Sequence, residues 1–292
     1  MADSIVVENS AKMNISFGTV KCFSSAGAGV IAFVMFLLSF RIEIKPYTGF
    51  AMAFFTTVLA LIPAHYLPPT KGHAWGVKKA KTSRAKAGND DQQSFRAILK
   101  NHRLMLLLSY ILLLFIGIQA TNVFMGIYYS SEEGMNAGLG MYGLFYAICI
   151  ALETGLMLYG NRLIKSIRIH HIFMLVGFAA CFRSLIIYLA PNIYVMQLSA
   201  IGHMLIFAPL WTRLAPYVND IVPMELQATG QAAWYMMSFG LGPMAGAAIG
   251  GAVAGSLGVR KLFLVAAIML FVVATVYSFL FRQQYKNDAA SV

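Results

Sequence analysis

Long apolar stretches separated by short polar segments run along most of the chain. A stretch of about 20 mostly apolar residues can cross a bilayer as a helix, whereas the strands of a membrane barrel are about 10 residues long and alternate. Backbone polar groups in lipid must be satisfied within their own segment, so these stretches predict helices. The eight predicted spans are residues 22–40, 47–67, 104–130, 138–159, 171–191, 193–217, 232–255 and 262–281.

The predicted spans fall into two groups, because a polar segment at residues 68–103 separates the first two from the last six. This segment is rich in lysine, glycine, serine and aspartate, a composition typical of a flexible linker. We therefore predict an all-α polytopic membrane protein with eight transmembrane helices. Its parts are residues 1–67 with two spans, a basic cytoplasmic linker at 68–103, a six-helix unit at 104–281 and a cytoplasmic tail at 282–292.

Composition and charge support a membrane protein and indicate its orientation. The 292 residues are 59% hydrophobic and 11% charged, with a mean hydropathy of +0.70, whereas a soluble domain carries about 25% charged residues. The net charge of +11 would indicate nucleic acid in a soluble protein, but in a membrane protein it reports topology. With residues 68–103 in the cytoplasm, most Lys and Arg lie inside. We therefore expect a cell-membrane protein (plasma or inner membrane), with both termini cytoplasmic and no nucleic-acid partner.

Three ionisable residues, Glu153, Arg183 and His203, lie deep within predicted spans. At 1.5 Å per residue, Arg183 is about 18 Å and Glu153 about 9 Å from the inner end of its span, and His203 is about 15 Å from the outer end. An ionisable group at the bilayer centre costs at least about 2.5–3.5 kcal/mol, so it normally faces a bundle interior or a wet cavity. An acid, a base and an imidazole at similar depth predict a site that couples a proton to a solute.

Each of these three residues has a predicted role and a structural alternative. Breaking and remaking a pair between Glu153 and Arg183 would load and unload a proton, because burial favours the neutral acid and a nearby guanidinium favours the carboxylate. We expect Glu153 to carry the proton, Arg183 to be its charge partner and His203 to take part in coupling or contact the solute. The alternatives are a fixed buried ion pair and a hydrogen-bonded core histidine.

Polar side chains in the third span add weaker candidates. Gln119 and Asn122 are amides in an otherwise apolar stretch. Amides orient polar solutes, but they also join helices in lipid, and both interpretations stay open. Tyr128 and Tyr129, at the outer end of this span, are expected in the interfacial aromatic belt.

Glycines in the seventh span predict close helix packing. Gly242, Gly246 and Gly250 repeat every four residues, which leaves a smooth stripe for either static packing or a sliding contact. The chain has no H-E-x-x-H, G-x-S-x-G or Walker motif, and its three cysteines have neither zinc spacing nor a disulfide framework. We expect no enzyme activity, no metal and no cofactor.

Two adjacent motifs resemble those of a known transporter family. Residues 199–207, S-A-I-G-H-M-L-I-F, and residues 223–231, P-M-E-L-Q-A-T-G-Q, are similar to a tenth helix and its following P-x-E-L-x-A-T-x-Q loop. The family is the major facilitator superfamily, in the branch of the oligosaccharide, phenylpropionate and nucleoside symporters. The resemblance covers nearly the whole chain. It implies that Glu153 and Arg183 match an acid on the family's eighth helix and an arginine on its ninth.

The beginning of the chain resembles the family's fifth helix. Residues 17–27, F-G-T-V-K-C-F-S-S-A-G, match its opening motif, with Lys21 where the family has arginine. The resemblance implies that Asp3 matches an acid that pairs with this base, so Lys21 and Asp3 are weak solute-binding candidates. The family has twelve helices in two halves. Residues 1–67 would then be a remnant of the N-terminal half that lacks the first three to four helices.

The resemblance implies a secondary active transporter. It would move a small polar or aromatic solute by proton-coupled symport, through rocking of two halves about a midplane site. Its partners would be the lipid bilayer, the solute and the proton as coupling ion. The alternative, from another functional class, is a non-transporting fragment or a membrane interaction protein derived from such a transporter.

Overall fold

The computed structural model describes residues 17–41, 54–59, 101–223 and 226–290. Within these ranges the chain is helical and has no strand. A short helical stretch covers residues 54–59, and a short helix, Asn161–Ser166, connects two of the long ones. The long helices are α1 (Phe17–Leu38), α2 (His102–Ser130), α3 (Gly138–Tyr159), α4 (Ile169–Leu189), α5 (Ile193–Ile221), α6 (Thr229–Leu257) and α7 (Val259–Ala290).

Helices α2 to α7 are long and apolar enough to cross a membrane. They coincide with the six spans predicted after the linker, so the all-helical, multi-pass prediction is confirmed for this part of the chain. Most of the predicted span 47–67 and of the linker lies outside the described residues, and the total of eight spans stays a prediction. α7 continues past residue 281 to Ala290, because Arg, Gln and Lys in the predicted tail are good helix formers.

Local signals in the sequence account for several helix ends. The Asn101 side chain caps α2 by accepting a hydrogen bond from the first turn at 3.2 Å, and it donates to the carbonyl of Ile221 at 2.8 Å. Asn192 caps α5 by accepting from the backbone N–H of Val195 at 3.0 Å. Gly258, at a φ of +87°, ends α6 and allows α7 to begin at the next residue.

Helices α5 and α6 each contain a π-helical turn near their middle. In α5 the turn is Leu210–Leu214, directly after Pro209, and in α6 it is Met236–Leu241. Such turns are rare in proteins overall, and many of those that occur lie at functional sites. Trp211 and Phe239, one from each turn, stack with ring centroids 5.7 Å apart and an interplanar angle of 7°. The two irregular turns therefore lie next to each other.

Two clusters of apolar side chains fill opposite ends of the bundle. The larger combines the beginning of α2 with the end of α7, and the ring centroids of Tyr110 and Phe281 in it are 5.7 Å apart. The smaller combines the other ends of the same helices, with Tyr128 and Phe263 at 5.1 Å. Between the two clusters lies a layer to which the helices contribute their polar residues. Large apolar side chains are also exposed on the outer faces, as expected for contact with lipid.

The glycine stripe of α6 packs against α2. A Cβ atom at Gly246 would lie 2.6 Å from the carbonyl oxygen of Ile116, and one at Gly250 would lie 2.9 Å from that of Ala120. Gly242 would similarly bring a Cβ within 2.7 Å of the Phe115 side chain. Only glycine allows the two backbones to approach this closely. The stripe is therefore a close-packing surface, and its partner is α2.

Candidate functional site

A cavity of about 440 Å³ lies among helices α1 to α6, in the layer between the two apolar clusters. Its volume falls within the range typical of sites for small organic ligands. All five predicted site residues that lie in α2 to α5 line this one cavity, together with Ser25 of α1. The polar lining is Ser25, Gln119, Asn122, Glu153, Arg183 and His203, and the aromatic lining is Tyr142, Phe145, Tyr146, Phe207, Trp211 and Phe239.

Glu153 of α3 lies between a histidine and a serine. Its side chain is 2% exposed, and Oε2 is 3.3 Å from Nε2 of His203, which is itself 5% exposed. The two groups are close enough for an ion pair when the imidazole is protonated, although they are not aligned for a direct hydrogen bond. The Ser25 hydroxyl donates to the other oxygen, Oε1, at 3.2 Å. The carboxylate therefore connects α3 to both α5 and α1.

Arg183 of α4 is held by amides. It is 3% exposed, and Nη2 donates to Oδ1 of Asn122 at 2.9 Å, while Nδ2 of Asn122 donates to Oε1 of Gln119 at 3.2 Å. In the described part of the chain, its buried Nε has no hydrogen-bond partner. Gln119 and Asn122 thus orient a buried arginine, one of the roles that amides can have in a span.

The expected pair between Glu153 and Arg183 is not formed. Among the described residues, the salt bridge of Glu153 is to His203, and the guanidinium of Arg183 has no acidic partner. The reason is the helix order, because α5 packs against both α3 and α4 and brings His203 to the carboxylate. In this conformation the two groups are not paired, and the role of Arg183 as the charge partner stays a prediction.

Gly202 and Ser25 are site residues to which the sequence analysis assigned no role. A Cβ at Gly202 would lie 2.6 Å from Cβ of Arg183, so this glycine allows α5 to approach α4 beside the site. The available signal for Gly202 is its place next to His203 in the chain. Ser25 follows Lys21 by four residues and shares its helix face. The side chain of Lys21 and the whole of Asp3 lie outside the described residues.

Tyr128 and Tyr129 are buried in the bundle, so their assignment to the interfacial belt is wrong. The ring centroid of Tyr129 is 5.5 Å from that of Tyr142 and 5.6 Å from that of Phe145. Tyr128 instead packs on Phe263 of α7. The rings around Tyr129 continue the aromatic wall of the cavity toward one end of the bundle, because α2 and α3 face each other there.

The cavity combines three chemical capacities. A carboxylate in contact with an imidazole can hold a proton, a guanidinium without an acidic partner can hold an anion, and aromatic faces can stack on a flat apolar group. Over the described residues, no group of three or more His, Cys, Asp or Glu side chains is arranged to hold a metal ion.

Comparison with known proteins identifies one family. The family model described as the MFS_1 like family matches residues 1–265, which is well over half of the chain. No curated protein matches the sequence. The family and the six apolar helices fit a multi-pass membrane protein of the transporter type, in contact with lipid and with a solute.

Proposed function

This chain belongs to the MFS_1 like family, and from that premise we propose that it is a secondary active transporter. It moves a small organic solute together with protons by alternating access. The observation that carries this proposal is the contact between Glu153 and His203, 3.3 Å apart in the polar layer of the bundle. Ionisable groups at such a depth are costly, and in membrane proteins they mark proton and substrate pathways.

Glu153 carries the proton in this proposal. Its carboxylate is almost completely buried and accepts stabilising contacts from His203 and Ser25 while it is charged. A proton on Glu153 removes this charge and, with it, the attraction to a protonated imidazole. If the solute binds more tightly when Glu153 is protonated, then a bound solute must equally strengthen the binding of the proton. Symport requires this reciprocity.

Arg183 receives an anionic group of the solute. Asn122 offers it a neutral acceptor, and a buried guanidinium without a counter-charge carries a desolvation penalty of several kcal/mol. A carboxylate is the partner that the planar guanidinium fork binds best. The stacked rings of Trp211 and Phe239 offer a surface to a flat apolar body. The solute class that fits this cavity is therefore a carboxylate with an aromatic or similarly flat body.

Transport is tested with the full chain in vesicles that enclose a pH-sensitive dye. The external solutes are benzoate, a disaccharide and a nucleoside, and protein-free vesicles measure passive entry of the acid. We expect solute-driven proton uptake for benzoate, and a loss of about tenfold or more in Glu153→Gln because an amide cannot carry the proton. Glu133→Gln, in the loop after α2, is the matched control and should retain uptake. Wild-type uptake by Glu153→Gln would contradict the carrier role.

The solute class is tested separately by equilibrium binding to the detergent-solubilised chain, measured by tryptophan fluorescence. Benzoate and the neutral benzamide have nearly the same shape. We expect benzoate to bind about tenfold or more tightly, because only the carboxylate pairs with Arg183. Arg183→Gln should remove this preference, whereas Arg168→Gln, an exposed arginine outside the cavity, should keep it. Equal affinities in the wild type would exclude an anionic solute, and no proton uptake with any solute would favour a non-transporting interaction protein.

A further inference from the structure

Ser25 joins α1 to the residue that carries the proton in the proposed symport. Its hydroxyl donates to Oε1 of Glu153 at 3.2 Å and lines the cavity. The two residues are 128 positions apart, on opposite sides of the basic segment 68–103. This hydrogen bond thus connects α1 with the six-helix unit, at the group whose charge changes in the proposed cycle.

Glycines bring α1 and α3 close together around this hydrogen bond, one glycine from each helix. A Cβ at Gly29 of α1 would lie 2.8 Å from Cγ2 of Ile150, and one at Gly143 of α3 would lie 3.0 Å from the carbonyl oxygen of Ala32. Helices that meet through glycine approach backbone to backbone and present smooth surfaces to each other. On such a surface, a side-chain hydrogen bond adds a directional contact between the two helices.

We propose that Ser25 is a positioning residue that makes the fit of α1 against α3 depend on whether Glu153 holds a proton. A hydroxyl that donates to a charged carboxylate forms a bond about twice as strong as one between neutral groups. Protonation of Glu153 therefore weakens this contact, so that α1 is held less firmly against α3. In the opposite direction, a hydroxyl kept close to the carboxylate favours its charged form. The inference rests on the proposed proton-carrying role of Glu153.

Several other groups that carry or change charge lie near Glu153. His203 of α5 contacts Oε2, and Arg183 of α4 lines the same cavity. On α3 itself, the phenols Tyr142 and Tyr146 and the thiol Cys149 are within electrostatic range or line the cavity. Substitution of Ser25 by alanine changes none of these groups. The variant therefore isolates the effect of the hydroxyl.

The first measurement is an infrared titration of the carboxyl group of Glu153, with the full chain in lipid nanodiscs and Glu153→Gln to assign the band. We expect Ser25→Ala to move the titration midpoint toward higher pH by about one unit, because the charged carboxylate loses a donor. Ser25→Thr keeps a hydroxyl and should restore the midpoint. The matched control is Ser39→Ala, directly after the end of the same helix. Its hydroxyl donates to the carbonyl of Phe36, so this variant should leave the midpoint unchanged.

The second measurement is the distance between α1 and α3, from spin labels at Val30→Cys and Tyr159→Cys. Both positions are exposed, and the background replaces the three native cysteines with alanine. We expect the distance distribution to differ between the wild type and Glu153→Gln, whose side chain is neutral like the protonated acid, and to be the same in Ser25→Ala with and without Glu153→Gln. An unchanged infrared midpoint in Ser25→Ala, or equal distances in the wild type and Glu153→Gln, would overturn the inference.

These two measurements do not depend on transport. The infrared midpoint reports the contact between Ser25 and Glu153 whether or not any solute crosses the membrane. Failure of the proposed symport would appear as absent proton uptake in vesicles or as wild-type uptake by Glu153→Gln. Failure of the Ser25 inference would appear as a normal midpoint in Ser25→Ala, so the two failures are distinguishable.

Discussion

The buried guanidinium of Arg183 is bound by an amide, Asn122, which in turn is bound by a second amide, Gln119. Within the described residues it has no acidic partner. Asn122 accepts a hydrogen bond from the guanidinium, and Gln119 accepts one from Asn122, so the chain of amides holds the side chain in place and leaves its charge uncompensated. Gly202 permits this position by allowing α5 close to the backbone of α4. The uncompensated charge is the reason why the cavity suits an anion, and it depends on the amide character of Asn122.

Substitution of Asn122 tests this dependence. Asn122→Asp places a carboxylate on the guanidinium, so we expect the affinity for benzoate to fall by about tenfold or more. Asn122→Leu leaves a buried donor without its acceptor and should lower the free energy of unfolding by about 1–3 kcal/mol. Fluorescence titration measures the first effect and thermal unfolding the second. Asn192→Asp is the control, because aspartate is an equally good cap at the start of α5. Unchanged benzoate affinity in Asn122→Asp would contradict the role of Arg183 in binding an anion.

At the scale of helices, glycine determines which elements meet closely. The stripe of α6 meets α2, and small residues of α1 meet α3, whereas a Cβ atom at Gly255, near the end of α6, would have no neighbour within 4 Å. The same residue type therefore has a packing role at some positions of one helix and none at others. The π-helical turn of α5 directly follows Pro209, and that of α6 directly precedes the glycine stripe. Each turn contributes an aromatic side chain to the cavity wall.

A pair of glycine variants separates packing from intrinsic helix preference. Gly246→Ala forces a methyl group toward the carbonyl oxygen of Ile116, so we expect a loss of about 1–3 kcal/mol in the free energy of unfolding. Gly255→Ala meets open space and should be neutral, or stabilising by up to about 1 kcal/mol, because alanine is the better helix former. Thermal unfolding in the same detergent measures both. Equal stability of the two variants would show that the stripe does not control the contact with α2.

At the scale of the whole molecule, a polar layer lies between two apolar clusters and is surrounded by an apolar outer face. Glu153, Arg183 and His203 each follow a stretch that belongs to one cluster and precede a stretch that belongs to the other. This arrangement places the ionisable groups where neither lipid nor bulk water is the immediate neighbour. The six apolar helices around such a layer fit a membrane protein of the transporter type.

The predicted orientation of the bundle gives a labelling experiment. In a background without native cysteines, Glu133→Cys lies in a loop predicted to be outside and Arg168→Cys in one predicted to be inside. We expect a membrane-impermeant thiol reagent to label intact cells at position 133, and to label position 168 only after the membrane is opened, since basic loops stay in the cytoplasm. The reverse pattern would show that the orientation derived from Lys and Arg is inverted.

The sequence by itself determined the class of the molecule. Hydrophobic length identified the six helices α2 to α7, since crossing lipid requires a continuous apolar helix and leaves few other structures possible. Ionisable residues inside such helices are costly enough to stand out, so Glu153, Arg183 and His203 were identifiable without a structure. Gln119 and Asn122 were found for a similar reason, as amides in an apolar run.

Only the tertiary structure decided which of these groups are partners. Hydropathy records depth along each helix but not the order of helices around the bundle, and it was the place of α5 between α3 and α4 that paired Glu153 with His203. The burial of Tyr129 and the contact of Ser25 with Glu153 depend in the same way on which helix lies alongside. Apolar side chains suit lipid and protein neighbours almost equally well, so their pattern carries little information about the neighbour.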